Sequence, residues 1–194
     1  MLIHDLHSPD GASSVVFRFH LPDKLGIYSI TQVPFANTQA TTSSVPGILI
    51  LGCSDGYIAV FSLSGAGSKI AAELIMLRKV QEQDVRSIDV LQTHRDALGK
   101  RGSFLLLTTS FDQRCLVWTV EFGGEGLPTE NYLLLPSCTR DAFIKSIGEV
   151  TLEPVSTLYG HSDKVLCGLL SASDGAAVDV MTSGADGRLL HWKL

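Results

Sequence analysis

The chain has 194 residues, of which 45% are hydrophobic and only 18% are charged. This composition excludes a globally disordered chain, which carries more charge and fewer apolar residues, and the length suffices for a folded core. The formal net charge of −5 argues against a protein that holds nucleic acid mainly through bulk positive charge.

The amino terminus shows no sign of a secretory signal, because residues 1–7 contain no basic region and no continuous apolar run. The longest apolar runs, at 47–53 and 104–107, are far shorter than the roughly 18–20 residues that cross a bilayer. No two of the four cysteines form a C-x-x-C pair, so we expect neither a disulfide framework nor a zinc site. The sequence therefore predicts a soluble, cytoplasmic protein without a metal or cofactor.

After a first strand candidate at 14–21, three segments of the chain share one layout. Each has a β-rich run, a tight turn that carries an aspartate, and an aromatic residue six positions after that aspartate. Asp-Gly is a strong signal for a two-residue hairpin turn in which both residues have positive φ. In the second segment Gln113 replaces the glycine. We therefore predict three β-hairpins, whose aspartate and aromatic residues are Asp55 and Phe61, Asp112 and Trp118, and Asp186 and Trp192.

Further strand candidates flank the hairpins. Short apolar runs precede them at 26–33, 85–91 and 165–170, and two hairpins are followed by candidates at 71–80 and 151–158. Segment 71–80 is also compatible with a helix, since 73–79 are good helix formers, but the pattern of its neighbours favours a strand. The sequence thus predicts an all-β protein of repeated four-strand units, at 25–80, 81–159 and 160–194, the last without a fourth strand.

The third unit carries the most specific motif. Gly160-His161 is followed, 30 residues later, by Trp192-Lys193, and this resembles a WD40 repeat with its Gly-His and Trp-Asp signature. Such repeats form the blades of β-propellers. The resemblance implies a hydrogen-bonded structural tetrad, in which a buried indole N–H and an imidazole find polar partners. Its members here are His161, Thr182 (or Ser183), Asp186 and Trp192.

The other two units resemble the repeat less well. The second keeps Thr108, Asp112 and Trp118, with Gln81 at the position of the histidine. The first keeps only Asp55, and Phe61 replaces its tryptophan. The extra length falls into connections at one end of the strands, at 34–46, 64–69, 92–102 and 122–150. Insertions on one face of a repeat protein often mark its binding face.

The connection at 92–102 is locally basic because it contains Arg95, Lys100 and Arg101. These residues fit a solvated surface loop, and they also fit a contact with RNA or with an acidic partner. A direct RNA-binding propeller is therefore an alternative function, although the net charge counts against it.

Motifs of enzymes are not found. The chain has neither a phosphate-binding glycine loop nor a nucleophile elbow. His161, Ser183 and Asp186 have the residue types of a catalytic triad, which makes a propeller hydrolase a further alternative. Because the tetrad accounts for His161 and Asp186 structurally, we expect a protein that is not an enzyme.

Three shorter strings suggest a closer relationship. Ser110-Phe-Asp-Gln-Arg114, the hairpin at 53–61 and the segment at 25–30 look like the C-terminal blades of large WD-repeat proteins that partner a tRNA ribose 2′-O-methyltransferase. In that family the propeller protein is non-catalytic and positions tRNA, while the methyltransferase brings its own S-adenosylmethionine. The resemblance implies a protein-interaction scaffold.

The number of units also has a consequence. Closed propellers generally need four to eight blades, whereas the repeats account for about three. We therefore expect an incomplete ring with exposed sheet edges, completed by a longer parent chain or by other subunits. Residues 1–24 are expected to include the outer strand of a preceding blade.

Overall fold

The computed structural model describes residues 2–5, 14–18, 21, 24–33, 47–66, 69–92, 103–123, 149–172 and 177–194. Apart from short 3-10 turns, the regular elements in these ranges are β-strands, and no helix there has the length and apolar character to cross a membrane. The prediction of an all-β protein is confirmed. In chain order the strands are β1 (Leu2–Asp5), β2 (Ser14–Arg18), β3 (Ile27–Val33), β4 (Gly47–Cys53), β5 (Tyr57–Ala66), β6 (Lys69–Lys79), β7 (Val85–Gln92), β8 (Ser103–Ser110), β9 (Arg114–Gly123), β10 (Glu149–Tyr159), β11 (Val165–Ala172), β12 (Val178–Gly184) and β13 (Leu189–Lys193).

The backbone N–H and C=O groups of these thirteen strands need hydrogen-bond partners, and they find them in antiparallel sheets. The first sheet has the order β3-β4-β5-β6, the second β7-β8-β9-β10 and the third β11-β12-β13. In each, neighbours in sequence are neighbours in space, as in propeller blades, and the described sheets do not close into a ring. The strand interpretation of 71–80 is confirmed, because β6 pairs along its length with β5.

The inner strands of the three sheets lie side by side, β3 against β7 and β7 against β11. Side chains of β7 reach across to the backbone of β11. Ser87 Oγ accepts a hydrogen bond from Gly168 N at 3.4 Å, and Asp89 Oδ2 accepts one from Leu170 N at 2.6 Å. These bonds join the second sheet to the third at their inner edges.

The hydrophobic core lies between the sheets. Alternate side chains of a strand point to opposite faces, so a sheet covered on both faces has strands that are apolar throughout, and β4 is buried along its whole length. One cluster fills the space between the first and second sheets, and it includes Ile48, Ile50, Ile58, Val60, Leu106 and Trp118. A second cluster fills the space between the second and third sheets, and it consists of Leu107, Cys115, Val117, Leu158, Val165, Leu170 and Val180.

The amino-terminal strand candidate has a partner that the sequence did not predict. Strand β2 pairs with β1 in a two-stranded sheet of their own, and β2 also contacts β6 of the first sheet. Leu21 and Leu25 pack against the outer face of the first sheet. Strand β2, Leu21 and Leu25 therefore lie beside the first sheet.

The hairpin turns differ from one another in backbone conformation. The prediction of positive φ at both turn residues is right for Asp55 (57°) and its following glycine (81°). It is wrong for the other two turns, in which only Gln113 (71°) and Gly187 (75°) have positive φ. In these turns the aspartate accepts a hydrogen bond from the N–H two residues on, at 3.1 Å in both, and this local bond favours a different turn.

Because successive strands are antiparallel, their connections alternate between two ends of the sheets. We call the end with residues 54–56, 80–84, 111–113, 160–164 and 185–188 the short-turn end. The long connections predicted from the sequence belong to the opposite end, and 34–46, 93–102 and 124–148 lie outside the described residues.

Candidate functional site

A hydrogen-bonded network joins the four tetrad positions of the third sheet. The Trp192 indole Nε1 donates to Thr182 Oγ1 at 3.2 Å. Thr182 Oγ1 lies 3.0 Å from His161 Nε2, and His161 Nδ1 lies 3.0 Å from Asp186 Oδ1. The structure thus brings together residues from two strands and from two turns at the short-turn end.

The donors and acceptors of this network determine its proton positions. An indole N–H can only donate, so Thr182 accepts from Trp192, and an ionised carboxylate can only accept, so His161 Nδ1 carries the proton that is donated to Asp186. In the neutral imidazole Nε2 is then the acceptor nitrogen, and it receives the hydroxyl proton of Thr182. Each polar group of the network has a complementary partner.

Two glycines make room for the network. A Cβ atom at Gly160 would stand 2.8 Å from Cη2 of Trp192. A Cβ atom at Gly184 would stand 2.6 Å from His161 Nδ1. Both distances are shorter than real Cβ contacts, so the glycine of the Gly-His motif serves the packing of the indole ring.

Asp186 is held as an anion. Its side chain is only 4% exposed, and this burial by itself would raise its pKa. Hydrogen bonds from the backbone N–H of Ser162, from His161 and from the N–H of Arg188 act in the opposite direction and lower the pKa of Asp186 to about 2. The charge of this carboxylate therefore contributes to stability at neutral pH.

The arrangement differs from that of a hydrolase. The hydroxyl beside His161 belongs to Thr182, which is 1% exposed, and the alternative assignment of the tetrad hydroxyl to Ser183 is wrong. A nucleophile has to meet its substrate, and here the candidate oxygen is covered and already bonded on both sides. The geometry therefore favours a structural role for these residues.

The second sheet holds a partial form of the network. Trp118 Nε1 donates to Thr108 Oγ1 at 3.1 Å, as in the third sheet. Gln81 is buried at the position of the histidine, but its Nε2 donates to the carbonyl of Arg114 at 3.0 Å. Its Oε1 is buried and has no hydrogen-bond partner among the described residues. The Asp112 carboxylate instead accepts hydrogen bonds from Glu82 N at 3.0 Å and from the Arg114 guanidinium at 2.9 Å.

The first sheet retains the turn and the packing. Phe61, at the tryptophan position, is 3% exposed and belongs to the core cluster on the outer face of this sheet. Asp55 N donates to Asp84 Oδ1 at 3.1 Å, which joins this turn to the segment before β7. The basic residues predicted as a partner or RNA contact, Arg95, Lys100 and Arg101, lie outside the described residues, and their role stays a prediction.

One face of the third sheet lacks the cover that the other two sheets have. Three positions on this face can be compared between the sheets: the residue five before the turn aspartate, the residue three after it and the residue five after it. In the first two sheets the residues at these positions are buried in the core clusters between the sheets. In the third sheet Met181 is 37% exposed, Leu189 is 72% exposed and His191 is exposed. The buried equivalents are Ile50, Ile58 and Val60 in the first sheet and Leu107, Cys115 and Val117 in the second.

This uncovered face extends onto β11. Leu169 pairs with Met181 and is 49% exposed, and Cys167 is an exposed free thiol opposite Ser183. The other described thiols are enclosed by the core, and burial raises the pKa of Cys53 to about 11 and that of Cys115 to about 12. We call the surface formed by Cys167, Leu169, Met181, Leu189 and His191 the open face.

Sequence reasoning did not find the aromatic and basic residues that meet at the short-turn end. Tyr28 and Arg86 come from different units, and Arg86 lies over the Tyr28 ring, with its Cζ 4.3 Å from the ring centroid. The repeats contained a signal for this contact, because Tyr28 and Arg86 are each the second residue of an inner strand and therefore occupy equivalent positions in neighbouring units.

Comparison with models of known protein families gives no match, and a search of curated proteins gives none either.

Proposed function

We propose that the chain is a non-catalytic WD40 protein-interaction scaffold. The observation that carries this proposal is the open face of the third sheet. Met181 and Leu189 expose apolar side chains at positions that are buried between sheets elsewhere in the chain. Exposed apolar surface of this kind marks a site of association.

The occupant of the open face that fits best is another sheet of the same kind. The same positions accept a neighbouring sheet twice in this chain, with β3 beside β7 and β7 beside β11. A further sheet, from a longer parent chain or from another subunit, would continue this series. It would remove Leu169, Met181 and Leu189 from water, which is favourable in proportion to the apolar area covered.

The tetrad supports a scaffold more than an enzyme. His161, Thr182 and Asp186 use their polar atoms on one another and on the backbone. We assign them to holding the turn and strands of the third sheet together.

The sharpest version of the proposal concerns tRNA. Residues 110–114 and their surroundings are similar to WD-repeat partners of a tRNA ribose 2′-O-methyltransferase. This similarity supports a role in which the chain positions tRNA for such an enzyme. The S-adenosylmethionine then belongs to the methyltransferase. If this version is wrong, the alternative is direct RNA binding through Arg95, Lys100 and Arg101.

Affinity purification of the tagged protein from its own cells tests the proposal. We expect to recover a tRNA methyltransferase, identified by mass spectrometry, together with tRNA. The variant Met181→Lys with Leu189→Lys should lose most of this recovery, because two charges cannot be covered by an apolar sheet. The matched control, Leu74→Lys with Val155→Lys, changes two exposed apolar residues outside the open face and should retain it.

Each alternative has its own outcome. Recovery of neither methyltransferase nor tRNA contradicts the tRNA version. Equal recovery with the open-face variant and the control contradicts the role of the open face. RNA binding by the purified chain alone, falling steeply with salt concentration, would favour the direct RNA binder.

A further inference from the structure

The inner strand of each sheet contains a β-bulge near its start. The pairing register shifts between Ile27 and Ser29, between Val85 and Ser87, and between Val165 and Cys167. A bulge leaves one residue outside the regular pairing and redirects its side chain. The redirected residues are Tyr28, Arg86 and Leu166, and because β7 lies between β3 and β11 they form a row at the short-turn end.

Aromatic rings and cations alternate along this row. The Arg86 guanidinium carbon lies 4.3 Å from the centroid of the Tyr28 ring and 4.7 Å from that of Phe111. The Lys164 Nζ atom lies 4.7 Å from the centroid of the same Phe111 ring. Cation–π contacts of this length are attractive and hold the long basic side chains in place. We call Tyr28, Arg86, Phe111, Lys164 and Leu166 the inner-strand patch.

The patch is fixed by its surroundings. The Tyr28 hydroxyl donates a hydrogen bond to Asp84, whose charge and hydrogen bond raise the pKa of Tyr28. Asp84 in turn accepts from Asp55 N at 3.1 Å. The main chain on either side is also tied down, since Phe111 N donates to Asp84 O at 3.2 Å. A preorganised surface loses little entropy when it binds a ligand.

The patch is also accessible. Tyr28 is 43% exposed and Leu166 is 44% exposed, so an aromatic and an aliphatic surface face solvent. Among the described residues, neither Arg86 nor Lys164 forms a salt bridge with a carboxylate. The donors of both cations are therefore available to a ligand.

We propose that the inner-strand patch binds a peptide segment of a partner protein in which acidic side chains stand beside an apolar one. Carboxylates pair with the guanidinium of Arg86 and the ammonium of Lys164 by charge-assisted hydrogen bonds. The apolar side chain packs on Tyr28 and Leu166. This site is independent of the open face and of the tRNA version of the proposed function.

The charges around the patch favour a peptide over a nucleic acid. Asp84 and Asp55 interact with Tyr28, Asp163 directly precedes Lys164, and the chain has a formal net charge of −5. A nucleic-acid backbone carries a negative charge at every phosphate and would lie close to these carboxylates. A peptide with separate carboxylates can place them at the two cations and avoid the acids.

Fluorescence anisotropy with defined probes tests the proposal. The probe is a fluorescein-labelled peptide of repeated Glu-Leu-Gly units, and its controls are the same peptide with Gln for Glu and a labelled oligouridylate of equal length. We expect the Glu peptide to bind at least about tenfold more tightly than the Gln peptide, since charge-assisted bonds are lost in the latter.

Variants of the full chain identify the site. Arg86→Gln with Lys164→Gln should weaken binding of the Glu peptide about tenfold or more. The matched control, Lys79→Gln with Lys193→Gln, removes two positive charges outside the patch and should leave binding unchanged. Arg86→Lys should fall between them, because it keeps the charge and loses the planar stack.

Three results would overturn the proposal. These are equal binding of the Glu and Gln peptides, equal weakening by the patch and control variants, and tighter binding of the oligouridylate that depends on Arg86. Circular dichroism shows whether each variant is folded. Should the double substitution unfold the chain, the comparison of the two peptides on the unaltered protein decides the question.

Discussion

Gly184 lies directly against His161, since a Cβ atom at position 184 would stand 2.6 Å from His161 Nδ1 and 2.7 Å from Asp186 Oδ1. The hydrogen bond between this imidazole and this carboxylate therefore requires a residue without a side chain at the end of β12. We expect Gly184→Ala to lower the free energy of unfolding by about 1–3 kcal/mol, as overpacking does. Urea denaturation measures the change.

Gly187→Ala is the comparison for this substitution. Position 187 has open space around it, but its φ is 75°, so alanine there should cost only about 1 kcal/mol of backbone strain. A Gly184→Ala variant as stable as the unaltered chain would mean that the imidazole and carboxylate are not held together as described.

Thr182 is the shared partner of His161 and Trp192, and Thr182→Val replaces its hydroxyl with a methyl group of similar size. The substitution leaves the indole N–H and the imidazole without partners, so we expect a loss of about 1–3 kcal/mol in unfolding free energy. Ser183→Ala, one residue along the strand, should change stability by less than about 0.5 kcal/mol. If Ser183→Ala proved the more damaging of the two, the assignment of the hydroxyl to Thr182 would be wrong.

Gln81 predicts an effect of the opposite sign. Its buried Oε1 has no partner among the described residues, whereas a histidine there is placed to face Thr108 and Asp112 as His161 faces Thr182 and Asp186. We expect Gln81→His to raise the free energy of unfolding by about 0.5–1.5 kcal/mol, which thermal unfolding shows as a higher midpoint. The converse substitution in the third sheet, His161→Gln, should lower it, and a loss of stability with Gln81→His would contradict the equivalence of the two positions.

The lowered pKa of Asp186 predicts a pH dependence. The pKa falls from an ordinary value of 3.8 to about 2 in the folded chain, so the folded state binds fewer protons than the unfolded state between these values. The contribution of Asp186 is fully present above about pH 4 and is lost as the pH falls toward 2. Thermal unfolding followed across this window should show a flatter pH dependence for Asp186→Asn. A dependence as steep as in the unaltered chain would assign the effect to other carboxylates.

Much of the fold could be predicted from local patterns. Asp112 and Asp186 sit in tight turns, and the apolar runs on either side are strands with two-residue periodicity or complete burial. The tetrad of the third sheet could be placed because its residues repeat the spacing of a WD40 unit. The choice between Thr182 and Ser183 needed the structure, since adjacent residues of a strand point to opposite faces and the contact of Thr182 Oγ1 with His161 Nε2 shows which of the two faces the imidazole.

Features that depend on distant parts of the chain were not predictable. The pairing of β2 with β1, rather than with a sheet of the repeat series, has no local signal. The contact of Arg86 with Tyr28 and Phe111 arises because two repeats lie side by side, and no single repeat contains all three residues. The exposure of Met181 and Leu189 likewise depends on whether a neighbouring sheet is present.

Cysteine labelling of the protein purified with its natural partners tests the scaffold proposal most directly. Cys167 lies on the open face and is exposed, whereas Cys53 and Cys115 are buried and serve as internal controls. We predict that a thiol reagent modifies Cys167 in the isolated chain but not in the native assembly, because a further sheet covers it there, while the two buried thiols stay unmodified in both. Equal modification of Cys167 in the isolated chain and in the assembly would contradict the account.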